Sequence, residues 1–175
     1  GSVKTSASYS GASTGQLAIG VQKRLFGCDD GSSDNSHEVL RKYQSSPRVS
    51  LYLNEKNQGQ GVMLNAGIDA ARGDFICFLS SDDIFFPNKL KSQVRKLQSC
   101  PENVGVVYSD GLFFEDGVAG FTPSTYHSPK TGDIFRDLIV ETCIFPVSPL
   151  SRRAVFEQEI TADLPAATQF LSPRL

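Results

Sequence analysis

The sequence predicts an α/β protein, a three-layer sandwich built on a mainly parallel central sheet. Three observations lead there. Short apolar runs alternate along the chain with segments of helical period, the rhythm of strands joined by crossover helices. One run, Asp74 to Leu79 (DFICFL), is almost continuously apolar, as a strand covered on both faces must be. Two acidic pairs, Asp29-Asp30 and Asp82-Asp83, stand where apolar runs end, and open α/β sheets bind ligands at such strand ends.

In chain order, residues 1 to about 24 are rich in Ser, Gly and Ala, with a weak stripe at Leu17, Ile19 and Val21, and read as a loop or short helix. Leu25 to Cys28 (LFGC) is a strand that stops abruptly in the acidic turn DDGSSDNS. Asn35 or Ser36 caps a helix starting at His37, with Val39, Leu40 and Tyr43 on one face, and Ser45 to Pro47 ends it. Val49, Leu51 and Leu53 alternate with polar residues, the pattern of a half-buried strand. The glycine-rich loop Asn57 to Gly61 leads into a helix over Val62 to Arg72, and Gly73 is placed to stop it.

After the second acidic pair, Pro87 occupies a first helical turn, followed by a stripe at Leu90, Val94 and Leu97 that Pro101 interrupts. Val104 to Tyr108 supplies another strand and Leu112 to Phe114 a further one. Beyond Gly117, prolines at 123, 129, 146 and 149 break the pattern; Gly132 to Val140 reads as a short amphipathic helix and Arg152 to Glu157 as another. No internal repeat and no second boundary is visible, so residues 1–175 are expected to form a single domain.

Composition excludes several classes. A chain of 175 residues, 39% hydrophobic and 21% charged, has a globular balance and can bury a core without staples. Net charge is −2 and the Lys and Arg residues are scattered, which argues against nucleic acid as a partner. The cysteines, at 28, 77, 100 and 143, show no zinc-like spacing, and a reducing, cytoplasmic setting is the simpler expectation. No apolar stretch approaches the roughly 18 residues of a membrane span, so any peripheral membrane attachment would come through other segments or partners.

Adjacent carboxylates repel, and Asp82-Asp83 sits among Phe78, Leu79, Ile84, Phe85 and Phe86, where a compensating cation or ligand is needed. Carboxylates gathered at one rim suit two tasks: holding a divalent ion that neutralises phosphate, and accepting hydrogen bonds from a sugar or base. Asp30 fits either task, whereas Asp29 serves equally well as a cap for the turn. The glycines at 59 and 61 match neither a dinucleotide fingerprint nor a P-loop. Asn65, on the first turns of the following helix, either caps the site or faces solvent. His37 is expected to be solvated, His127 reaches phosphate only if its loop folds over the rim, and no nucleophile elbow occurs. Arg152 and Arg153 read as a solvated charged face, with phosphate contact as the alternative. A phosphoacceptor receiver domain also gathers acids at strand ends, but no lysine closes a late strand here.

Together, CDDGSSDNSHEVL, NEKNQGQGVMLNAGIDAARGDFICFLSSDDIFFPNKL and VGVVYSD resemble the family 2 inverting glycosyltransferases, clearly over Leu25 to Phe114 and weakly over Phe145 to Glu157. The resemblance implies a GT-A fold and transfer of a sugar, with inversion, from a nucleotide-diphosphate donor to a saccharide or lipid-linked acceptor. It implies a hexosyltransferase of cell-envelope polysaccharide synthesis, dependent on Mn²⁺ or Mg²⁺. By the same resemblance Asp30 reads the base edge, Asp82 lies near the ribose, Asp83 holds the metal, and Asn65 and Tyr9 join the donor site, Tyr9 by stacking. The sequence departs from the family pattern in four places. Tyr9 follows no apolar strand, Leu64 stands where a basic residue is common, and Ser80 replaces the first acid of Asp-x-Asp. For the catalytic base the family's motif has no clear match; Glu157, Glu159 and Asp163 are the candidates. A nucleotide-sugar-binding or regulatory module without turnover is therefore the rival expectation.

Overall fold

The computed structural model of the chain describes residues 24–115, 118–119, 130–140, 144 and 148–157. It opens with β1 (Leu25–Asp30), α1 (Ser36–Arg41) and β2 (Val49–Asn54). The two strands pair in parallel, in a register that sets Leu25 opposite Val49 and Asp30 opposite Asn54. Both strands therefore end at the same edge, and the loops that follow them rise side by side. Helix α2 (Gln60–Ala70) packs on β1. Its Gly67 lies against the Phe26 ring, and Met63 is buried, its carbonyl accepting from Cys28 Sγ at 3.5 Å. Phe26 in turn stacks on Tyr52 across the pair at 6.4 Å between centroids.

The chain continues through β3 (Phe75–Cys77), α3 (Lys89–Ser99), β4 (Val106–Val107), a hairpin of β5 (Phe114–Glu115) and β6 (Val118–Ala119), and α4 (Phe135–Val140). It then returns as β7 (Leu150–Arg152), followed by a 3₁₀ turn over Arg153–Phe156. β7 lies between β3 and β4 and is antiparallel to both, so this second sheet has the order β3-β7-β4. Val94 and Leu97 of α3 and Leu150 of β7 form its core, with Phe75, Cys77, Leu90, Val104 and Val107 packed around them. The burial of α3 follows its sequence stripe, since residues three and four apart share a helix face.

The α/β class holds, with the expected parallel pairing in β1 and β2. Several elements differ from the sequence expectation. The run from Asp74 to Leu79 contributes only three strand residues, and Pro87 lies in the turn ahead of α3 rather than inside its first turn. The segment expected to be helical from Arg152 instead finishes a strand before its short 3₁₀ turn. Residues 1–23, and with them Tyr9 and the Leu17 stripe, lie outside the described residues, as do His127, Cys143, Glu159 and Asp163.

Candidate functional site

The turn after β1 is built by its own carboxylates. Asp29 is fully buried, and its carboxylate accepts from the Ser32 amide at 2.9 Å, the Ser32 hydroxyl at 2.8 Å and His37 Nε2 at 2.7 Å. Of the two readings open for Asp29, the structure shows loop capping: three donors satisfy a charge that would be costly to bury alone. His37 departs from its expected solvated position because Asp29 recruits its ring nitrogen across the turn. Asn35 is the N-cap of α1 but makes no side-chain cap hydrogen bond; Asp34 before it accepts from the Ser36 amide at 2.9 Å and from its hydroxyl, and these bonds hold its carboxyl below the ordinary range.

Asp30, 6% exposed, ends β1 and faces the loop after β2. Its Oδ1 accepts from the Gln58 amide at 2.8 Å and from Asn54 Nδ2 at 3.0 Å, and its Oδ2 accepts from the Gly59 amide at 2.8 Å. Gly59 is the N-cap of α2, with φ of 98°, so the carboxylate sits at the positive end of an eleven-residue helix. Gly31, directly after Asp30, has φ of 75°; a Cβ there would meet the Asn57 amide nitrogen and the Lys56 carbonyl carbon, each at 2.8 Å. The two crossover loops thus touch backbone to backbone, which only glycine permits. Asn65 follows on α2, partly buried.

The second acidic pair occupies the loop between β3 and α3. A turn closes it, with the Asp83 amide donating to the Ser80 carbonyl at 3.2 Å. Asp82 is exposed and Asp83 partly buried. Burial, then the neighbouring Asp82, hold the Asp83 carboxyl above its ordinary value, against a hydrogen bond with the Ser80 side chain that lowers it. Ser80, where the family pattern has an acid, is here the residue that shapes the turn. Among the described residues no group of three or more His, Cys, Asp or Glu side chains is placed to hold a metal. Mg²⁺ and Mn²⁺ can do with one or two carboxylates when they keep waters and share ligand phosphate, and Asp83 is the carboxylate that an ion of that kind would use here.

At the far end of the chain, Phe156 packs edge-on against Phe78 at 6.1 Å, anchoring the 3₁₀ turn beside the segment that leads into the acidic loop. Glu157, the one base candidate among the described residues, is exposed and pairs with Arg153. Arg152 departs from both expected roles. Its guanidinium donates to the carbonyls of Leu97 at 2.6 Å, Val104 at 2.9 Å and Cys100 at 3.4 Å, closing the C-terminal end of α3.

Open α/β sheets bind ligands outside the carboxyl ends of their strands, and the loops after β1 and β2 meet at such an edge. The chain belongs to glycosyl transferase family 2, whose model matches residues 22–158. It is 34% identical over 141 residues to an uncharacterized glycosyltransferase of Nostoc sp. strain PCC 7120, covering 77% of this chain and 43% of that protein. It is 26% identical over 138 residues to one from Methanocaldococcus jannaschii, covering 75% of this chain and 47% of the relative. It is also 36% identical over 86 residues to the UDP-Glc:alpha-D-GlcNAc-diphosphoundecaprenol beta-1,3-glucosyltransferase WfgD of Escherichia coli, covering 49% and 33%. The chain spans less than half the length of each of these relatives. Among the described residues no helix is long and apolar enough to cross a membrane.

Proposed function

We propose that this domain binds a nucleotide-diphosphate sugar and transfers the sugar, with inversion, to an acceptor hydroxyl. The observation that carries the proposal is the turn at Ser80 to Asp83: the family match includes it, and it holds two adjacent carboxylates, one raised in proton affinity by its surroundings. A divalent cation held there would neutralise the charge that builds on the departing diphosphate. Asp83 is the proposed metal ligand, with Asp82 at the ribose. Asp30 is the proposed base-reading carboxylate, which keeps the α2 loop in place through Gln58 and Gly59. Asn65 and Tyr9 complete the proposed donor site. The base that takes the acceptor's proton is proposed among Glu157, Glu159 and Asp163. The name of WfgD supports a hexosyl donor and a lipid-linked acceptor; a cytoplasmic place in cell-envelope polysaccharide synthesis is proposed with them.

Calorimetry with UDP and other nucleoside diphosphates, with and without Mn²⁺, tests the donor site. Mn²⁺-dependent binding that Asp83→Asn abolishes is the expected result, and no binding in any combination refutes the reading. A second reading, a nucleotide-sugar-binding module without turnover, draws support from the pairing of Glu157 with Arg153. Persistent nucleotide binding without transfer or donor hydrolysis across a sugar panel would establish it, and measurable transfer would remove it.

A further inference from the structure

Beneath the acidic turn lies a polar cluster that the donor-site reading does not use. Lys89 opens α3, partly buried, on a helix whose neighbouring inward positions are Leu90, Val94 and Leu97. Its Nζ donates to Gln93 Oε1 at 2.8 Å and to the Ser148 carbonyl at 3.0 Å, and it stands 4.1 Å from the centroid of the Phe85 ring. Gln93, itself buried, donates its Nε2 to the same carbonyl at 2.7 Å. The cluster is therefore closed: a lysine, an amide and a main-chain oxygen satisfy one another, and the lysine's remaining face rests on an aromatic ring.

Such an arrangement costs free energy, because burial pushes the Lys89 ammonium below its ordinary value. An aliphatic side chain at this position would avoid that cost. The cluster does something an aliphatic residue would not. Phe85 is two residues beyond Asp83, on the loop that carries the acidic pair, and a cation over a ring face fixes that ring in direction as well as depth. Ser148 stands two residues before β7, the middle strand of its sheet. Lys89 thus touches three segments at once: the acidic loop, the first turns of α3, and the chain leading into β7.

We propose that Lys89 is a positioning residue of the donor site, tying the loop that bears Asp82 and Asp83 to the strand β7 through Phe85, Gln93 and the Ser148 carbonyl. The proposal rests on the reading of that loop as the donor site. Lys89 acts on the acidic loop through the Phe85 ring, two residues beyond Asp83.

Hydrogen exchange on the ligand-free chain, paired with calorimetry of Mn²⁺ plus UDP, tests it. In Lys89→Met the amides of residues 80–88 should exchange about tenfold faster while those of β1 and β2 keep wild-type rates, and Mn²⁺-dependent UDP affinity should fall by a similar factor. Lys89→Arg, which retains a cation over the ring, should restore most of both. Phe85→Leu should loosen the same amides, and adding Lys89→Met to it should change little further. Unchanged exchange at residues 80–88 in Lys89→Met overturns the proposal, and so does a uniform rise across the chain in both Lys89→Met and Phe85→Leu. If the wild-type chain binds no UDP with Mn²⁺, the donor-site reading fails, and the exchange rates still decide whether Lys89 positions the loop.

Discussion

Replacing Gly31 would part the two crossover loops at the candidate site. Gly31 carries a left-handed φ of 75°, and a Cβ there would come within 2.8 Å of main-chain atoms of Lys56 and Asn57, which cannot swing aside as a side-chain tip can. In Gly31→Ala the left-handed conformation costs about 1–2 kcal/mol. The contact adds roughly 1–3 kcal/mol, the usual range for forced overpacking. Asparagine tolerates the left-handed region but brings the same Cβ, so Gly31→Asn removes most of the first cost and keeps the second. Urea denaturation should therefore find Gly31→Asn destabilised by about 1–3 kcal/mol, with Gly31→Ala somewhat worse. The loop displaced is the one whose Gln58 and Gly59 amides hold Asp30, so nucleotide affinity should fall in both variants. A Gly31→Asn protein as stable as wild type, within about 0.5 kcal/mol, would show that the close approach is not a constraint.

Further outcomes follow from individual side chains. Because the Asp83 carboxyl is raised from 3.8, the folded state favours its protonated form; that contribution is full below the ordinary value and is lost as pH rises through the raised one. Asp83→Asn should thus melt higher than wild type at neutral pH without metal, an advantage that disappears in acid. Ser148 is buried and its hydroxyl finds no hydrogen-bond partner among the described residues, so Ser148→Ala should be neutral or stabilise by about 1 kcal/mol in urea denaturation. Arg152→Met should destabilise by roughly 2–3 kcal/mol in the same assay, since the Leu97, Cys100 and Val104 carbonyls lose a charged donor.

The sequence was most legible where one local rule decided the structure. Alternation at Val49, Leu51 and Leu53 marked β2, and the stripe of Leu90, Val94 and Leu97 marked the buried face of α3. The acidic turn after β1 was visible because a run of Asp, Gly, Ser and Asn has few other uses. β7 was not visible. Three residues directly after Pro149 offer no period, and only its neighbours β3 and β4, far away in sequence, define it as a strand. The roles of His37 and Arg152 were hidden for the same reason: each is set by a partner brought near in space, Asp29 in one case and the end of α3 in the other. At the site, residue types pointed to Asp30 and to the acidic pair, but nothing local showed that Asp30 would clamp the Gly59 amide or that Lys89 would lie beneath Phe85.

The late return of β7 bears on how a ribosome must make this domain. β1, α1, β2 and α2 are contiguous and can settle as they emerge, whereas β3 and β4 wait for Leu150–Arg152 with their inner edges unpaired. A nascent chain stalled or cut before residue 150 would present those two inner edges bare to its neighbours, an invitation to self-association that pairing with β7 withdraws.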